Sequence, residues 1–180
     1  DRRARLVTRS EAVTGVSEFP DLDESLVERP AATPASAGPL PLRRRSEPFE
    51  ALRDVADAAA EVPTVRLVTV GSLTDHNVRS TFATNLYAVA GIRALPGADG
   101  GSSLAVVCGS DDGYARDGVS VVTGLRDEGV ARVHLAAHPG ALGDDMVAAL
   151  RDAGVDQFVH AGVDVVDLLE RTLADLGAGP

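Results

Sequence analysis

The chain has 180 residues, of which 44% are hydrophobic, 3% are aromatic and none is tryptophan. This length allows one ordinary domain, with a core of Val, Leu and Ala as in parallel sheets covered by helices. The formal net charge of −10 argues against a nucleic-acid partner, because phosphate binding requires clustered cations. All 17 basic residues are arginines, which excludes sites that need a lysine, such as the Walker A loop or a Schiff base.

The cysteine content and hydropathy predict a cytoplasmic protein. Cys108 is the single cysteine and cannot form a disulfide within the chain. The sequence contains no apolar run long enough to cross a bilayer, and no hydrophobic signal segment follows its first residues. We therefore expect a reducing compartment and no membrane partner.

The first third of the chain differs in composition from the rest. Residues 1–29 include a short turn-rich piece without the periodicity needed to fold alone, and we interpret them as the end of another unit. Residues 30–62 begin with a stretch rich in Pro, Ala, Ser and Gly, which is typical of a linker. They continue into a predicted helix over residues 47–60, where apolar residues recur every three positions. Residues 63–180 form the predicted main domain.

The main domain alternates short β-branched runs with helical segments, a pattern that indicates βαβ units. The predicted strands are residues 65–70, 92–95, 104–108, 133–136 and 157–159. Right-handed crossovers and this element order favour an α/β fold with a flavodoxin-like, doubly wound parallel sheet of strand order 2-1-3-4-5.

Three histidines and the cysteine follow or end the predicted strands. In such a sheet, ligands bind beyond the carboxyl ends of the strands, so His76, Cys108, His138 and His160 are the first candidates for a site. Imidazole and thiolate are ligands that zinc prefers, which leaves a metal-binding module open as an alternative. Their spacing matches no compact zinc motif, and histidines that only hydrogen-bond backbone are the commoner case.

Other sequence motifs are incomplete. Asp111-Asp112 could belong to a receiver-type magnesium site, but strand one lacks following carboxylates and the chain lacks lysine, so this pair is interpreted as a helix cap. Gly71 and Gly100-Gly101 do not form a dinucleotide fingerprint. Ser110 lies outside any Gly-x-Ser-x-Gly elbow, and nothing in the sequence fixes a base beside Cys108. Nucleophilic catalysis is therefore not predicted.

Three segments resemble methylmalonyl-CoA mutases, in the order that this family has them. The first resembles the segment that closes the catalytic barrel, the second the start of the linker helix, and the third the final loop and helix. They are residues 14–20 (TGVSEFP), 45–53 (RSEPFEALR) and 161–169 (AGVDVVDLL). The resemblance implies that residues 1–29 are a barrel remnant and residues 63–180 a domain of the cobalamin-binding type.

The resemblance also shows where this chain departs from the catalytic subunits of the family. Their loop after strand one carries Asp-x-His-x-x-Gly, whose histidine binds cobalt. His76 corresponds to that histidine, Thr74 to the aspartate and Arg79 to the glycine. The aspartate orients the ligating imidazole, and the glycine leaves space for the buried nucleotide tail. Arg79 is expected to project into that space.

Further departures are expected along the same edge. The family's Ser-x-Leu after strand three resembles Cys108-Gly109-Ser110 here, and its Gly-Gly after strand four resembles His138-Pro139. Gly162 lies in the segment that resembles the final loop. The expected cofactor site is therefore degenerate, with small residues replaced by larger ones.

By resemblance, the chain is expected to be part of a small, non-catalytic subunit that binds no cofactor itself. Its partner would be a larger catalytic subunit that holds adenosylcobalamin and converts methylmalonyl-CoA to succinyl-CoA. The alternative is a working cobalamin module that uses His76 as the cobalt ligand.

Overall fold

The computed structural model describes residues 2–24, 44–97 and 102–178. The Pro-rich stretch of the predicted linker and Gly100-Gly101 lie outside these residues. The strands are β1 (Thr64–Thr69), β2 (Arg93–Pro96), β3 (Leu104–Cys108), β4 (Arg132–Leu135) and β5 (Gln157–Phe158). Each lies within one residue of its predicted bounds.

The strands form one parallel sheet of order β2-β1-β3-β4-β5. The predicted flavodoxin-like architecture is therefore confirmed. In the centre of the sheet, Leu67 of β1 pairs with Val106 of β3, and Val106 pairs with His134 of β4. Because β1 and β3 are neighbours in space but are separated by β2 in sequence, the order of the strands switches between them.

Helices connect the strands and cover both faces of the sheet. They are α1 (Arg2–Val7), α2 (Glu47–Asp57), α3 (Leu73–Ala88), α4 (Asp111–Gly113), α5 (Val119–Asp127), α6 (Pro139–Leu142), α7 (Asp144–Ala153) and α8 (Val165–Asp175). A π-helical turn, Tyr114–Gly118, joins α4 to α5. The predicted connecting helix is confirmed as α2, although it ends at Asp57. Within the described ranges, none of the helices is long and apolar enough to cross a membrane.

The sheet separates two hydrophobic cores, and β3 contributes to both. All five residues of β3 are buried; Leu104, Val106 and Cys108 face one core, while Ala105 and Val107 face the other. Side chains of α2, α3 and α8 complete the first core, and side chains of α5 and α7 complete the second. Since successive side chains of a strand point to opposite faces, a continuously apolar strand is what a sheet covered on both sides requires.

Residues 2–24 lie against the main domain through a few contacts. Val16 packs against the first core, and Arg93 of β2 forms an ion pair with Asp23. Glu11 is paired with Arg45, which precedes α2. These contacts join the first segment of the chain to the side of the domain that carries α2.

Candidate functional site

The loops and helix starts that follow β1, β3, β4 and β5 lie at one edge, because all of these strands run parallel. This edge, at the carboxyl ends of the strands, is called the carboxyl edge below. It carries all of the residues that the sequence identified as candidates, and it is where ligands bind in open α/β sheets.

After β1 the chain turns directly into α3, instead of forming the predicted loop. Gly71 has a φ of +87°, and a Cβ atom there would lie 2.7 Å from Asp75 Oδ2, so this turn requires glycine. The backbone N–H and the hydroxyl of Ser72 both donate to Asp75 Oδ2, at 2.8 and 2.7 Å. Both bonds lower the pKa of Asp75, and the bond from the hydroxyl has the larger effect. Ser72 and Asp75 therefore define the start of the helix.

Thr74, His76 and Arg79 consequently lie on the first two turns of α3. Thr74 is exposed. His76 is half-buried, and its Nδ1 is buried without a hydrogen-bond partner among the described residues. The neighbouring carboxylate, Asp75, is directed to Ser72. The imidazole thus lacks the partner that orients a metal-binding histidine.

Arg79 joins α3 to the loop after β3. Its Nη1 donates to Gly109 O at 2.6 Å, and its Nη2 donates to Asp111 Oδ1 at 2.5 Å. The guanidinium carbon also lies 5.2 Å from the centre of the Tyr114 ring. Burial is the largest single effect and lowers the pKa of Arg79, but the bond to Asp111 and the electrostatic interactions with Asp111 and Tyr114 together outweigh it, so the pKa is raised. The guanidinium therefore remains charged and bridges the position where the strand order switches.

Tyr114 is the residue of this edge that sequence reasoning missed. Its side chain is fully buried, and its hydroxyl accepts from Gly109 N at 2.8 Å. The same hydroxyl lies 3.1 Å from two acceptors, Val107 O of β3 and Ala136 O after β4. Burial raises the pKa of Tyr114 well above its usual range, so the phenol stays protonated and can donate. The ring fills the space between the ends of β3 and β4.

Cys108 and Ser110 flank Gly109 in the loop after β3. Burial raises the pKa of the Cys108 thiol to about 12, which keeps it protonated and unreactive. The hydroxyl of Ser110 accepts from Gly113 N at 3.0 Å and caps α4. The prediction that Asp111-Asp112 provides this cap is therefore wrong, since both aspartates lie inside the first turn.

His138 and His160 come together at the far end of the carboxyl edge. Their ring centres are 4.3 Å apart, with the ring planes inclined by 57°. Among the described residues, no three His, Cys, Asp or Glu side chains are grouped so that they could hold a metal ion. The four candidate zinc ligands are thus not gathered into one site; the structure places only these two imidazoles in contact.

Gly162, the last candidate, lies in the turn between β5 and α8. Its φ is +94°, and a Cβ atom there would have no neighbour within 4 Å. Its backbone conformation therefore explains the glycine, since side chains with a Cβ rarely adopt a positive φ.

A buried polar pair lies behind this edge, in the core between α3 and β4. Tyr87 Oη and His134 Nδ1 are 2.8 Å apart, and both side chains are buried. Burial lowers the pKa of His134 to about 4. His134 lies in the predicted strand over residues 133–136, and the structure shows that it is a core residue and not part of the carboxyl edge.

Sequence comparison identifies relatives of the chain. No protein-family model matches it. It is 42% identical to a "Probable methylmalonyl-CoA mutase small subunit" of Mycobacterium tuberculosis, over 93% of this chain and 28% of the relative. Small subunits named for the same mutase in Streptomyces virginiae and Propionibacterium freudenreichii subsp. shermanii are 36% and 34% identical, each over 98% of this chain and 30% of the relative. This chain is a homologue of methylmalonyl-CoA mutase small subunits.

The predicted resemblance to this mutase family is thereby confirmed, and specifically to its small subunits. The chain spans less than a third of the length of these relatives. The likeness covers both the main domain and the segments before it, since 93–98% of the chain is aligned. The site described above is therefore that of a mutase small-subunit homologue.

Proposed function

We propose that this chain is the non-catalytic, C-terminal part of the small subunit of a heterodimeric methylmalonyl-CoA mutase. In this proposal it binds no cofactor, and it contributes structure to a cytoplasmic assembly that interconverts methylmalonyl-CoA and succinyl-CoA. The observation that carries the proposal is the bridge formed by Arg79 between α3 and the loop after β3. Catalysis is assigned to a larger partner subunit, which holds adenosylcobalamin.

Arg79 and Tyr114 fill the part of the carboxyl edge in which a cofactor tail would have to lie. A tail entering between α3 and the loop after β3 would have to displace a guanidinium that holds Gly109 O and Asp111. Each hydrogen bond to a charged group stabilises a fold by about 1.5–3 kcal/mol. Behind Arg79, the buried Tyr114 ring would also have to move, together with the three backbone groups around its hydroxyl. The residues present do not fit the cofactor of the catalytic subunits.

The position of His76 adds a second argument. A histidine that binds a metal normally donates its other ring N–H to a carboxylate or carbonyl, which fixes its tautomer and orientation. His76 Nδ1 has no such partner among the described residues, and Thr74 provides no carboxylate. An imidazole without this support is expected to bind cobalt weakly.

Direct titration with cobalamin tests the loss of cofactor binding. When the purified chain is mixed with an equal concentration of cobalamin, we expect the absorption spectrum of free cobalamin to persist, without conversion to the histidine-ligated form. Tight uptake of one cobalamin per chain would overturn the proposal. The alternative function, a working cobalamin module, would then be supported if His76→Ala abolished the spectral change while His138→Asn, at the same edge, retained it.

Isolation of the native assembly tests the structural role. We expect the full-length protein purified from its host to bring down a larger homologue that carries cobalamin, in a fixed ratio. Gel filtration measures the ratio of the two subunits in the complex. Absorption spectroscopy of the complex and of its separated subunits shows which subunit carries the cobalamin. A complex in which the cobalamin remained with this protein after separation, or the isolation of this protein alone with full mutase activity, would contradict the assignment.

A further inference from the structure

The contact between His138 and His160 follows from the pairing of the two strands that precede them. β4 and β5 are neighbours, with Leu135 opposite Phe158, and the histidines follow these residues by three and two positions. Their ring centres are therefore brought to 4.3 Å. His138 is exposed and His160 is half-buried, so the pair is accessible from the carboxyl edge.

The hydrogen bonds of the pair determine which nitrogens are available. His160 Nδ1 lies 2.8 Å from Ala161 O, an acceptor, so Nδ1 carries the proton and Nε2 has a free lone pair. This is the arrangement in which proteins present a histidine to a metal ion, with the distal N–H held by a backbone carbonyl. His138 Nδ1 accepts from Gly140 N at 3.1 Å. For Nε2 of His138 to bind a metal, the proton must move to Nδ1, and this single long hydrogen bond is lost.

We propose that His138 and His160 form a two-histidine site for a divalent transition-metal ion of the zinc class, bound through the two Nε2 atoms. Imidazole nitrogen suits Zn²⁺, Ni²⁺ and Cu²⁺ and does not suit Mg²⁺ or Ca²⁺, which prefer oxygen. No third protein ligand is grouped with the pair in the described part of the chain, so water fills the remaining positions. The site is therefore open to solvent, and its affinity for the ion is lower than that of a structural zinc site with four protein ligands.

Titration of the 180-residue chain with Zn²⁺ tests this site. Calorimetry is expected to give one bound ion, and the imidazole ¹⁵N spectrum is expected to show the largest shifts at Nε2 of His138 and His160. The amide signal of Gly140 is expected to shift with them, because its hydrogen bond to His138 is released. Shifts confined to other residues, or no binding up to about 1 mM Zn²⁺, would overturn the proposal.

Asparagine variants separate metal binding from folding. His138→Asn keeps an oxygen that can accept from Gly140 N, and His160→Asn keeps an N–H that can donate to Ala161 O, while each removes the metal-binding nitrogen. Each is expected to weaken Zn²⁺ binding at least ~10-fold, a change of about 1.4 kcal/mol. His76→Asn, at the same edge, is expected to leave zinc affinity within about twofold. If His138→Asn does not fold, the zinc affinity of His160→Asn alone tests the proposal. Unchanged zinc affinity in a folded variant of either histidine would overturn the proposal and would show that the two rings only pack against each other.

Discussion

Replacement of Tyr114 by alanine is expected to lower the free energy of unfolding by about 3–5 kcal/mol, the range for deletion of a large buried aromatic side chain. The Tyr114 ring is fully buried in the second core and fills the space between the ends of β3 and β4. Its loss leaves a cavity that the neighbouring backbone cannot close, because that backbone belongs to two central strands. Urea denaturation followed by circular dichroism measures the change.

A phenylalanine at the same position isolates the contribution of the hydroxyl. Tyr114→Phe keeps the ring but leaves the buried Gly109 N–H without its acceptor, which is expected to destabilise the fold by about 1–3 kcal/mol. Val119→Ala serves as the control, because Val119 is 42% exposed on the helix that follows. If Tyr114→Phe and Val119→Ala had the same small effect, the hydrogen bonds of the hydroxyl would not hold this edge together.

Acidification is expected to destabilise the protein through His134. Burial lowers the pKa of His134 to about 4, from an ordinary value of 6.5. Above pH 6.5 both the folded and the unfolded chain have a neutral imidazole, and the full stability is present. Between pH 6.5 and 4 only the unfolded chain takes up the proton, so stability falls as the pH falls. The total loss is about 3 kcal/mol, because each unit of pKa corresponds to about 1.4 kcal/mol.

His134→Gln tests this source of acid sensitivity. The variant cannot take up a proton at this position, so its stability is expected to fall less steeply than that of the parent between pH 6.5 and 4. Urea midpoints at several pH values in this range measure the two slopes, and His138→Asn, which removes an exposed imidazole, is measured in parallel. Parallel slopes for the parent and His134→Gln would show that carboxylates, not His134, govern the acid response.

The sheet could be predicted from the sequence because its signal is local. β3 is a run of buried apolar residues, which a strand covered on both faces requires, and its predicted bounds match the observed ones. The order of the strands follows from right-handed crossovers, which leave few arrangements for alternating strands and helices. The weakest strand signal, β2, belongs to an edge strand with only intermediate and exposed residues.

The start of α3 was missed although the sequence carries a signal for it. Ser72 and Asp75 have the spacing of a capping box, and Gly71 precedes them, but this segment was interpreted as a loop after strand one. Placing the helix start at Ser72 would have put Thr74, His76 and Arg79 on a rigid element. The sequence therefore placed these candidate residues at the right edge of the sheet but on the wrong backbone element.

The partners of Arg79 could not be predicted from the sequence. Arg79 was expected to project into the edge, but its acceptors, Gly109 O and Asp111, lie 30 and 32 residues further along the chain. Only the pairing of β1 with β3 brings these segments together. Tyr114 gave no periodic signal either, because it begins a π-helical turn and not a regular helix. Sequence patterns do not predict contacts that depend on tertiary structure or on irregular backbone.

The π-helical turn Tyr114–Gly118 makes the length of this segment critical. Tyr114, the first residue of the turn, and Val122 and Leu125, which follow it, are all buried in the same core, so the turn sets the angle between two apolar surfaces of one continuous helical stretch. Insertion of one further residue within the turn would rotate everything downstream by about 100°, the angle per residue of an α-helix. Val122 and Leu125 would then swing toward solvent. Insertions should therefore be far less tolerated here than substitutions of the exposed Ala115 and Arg116.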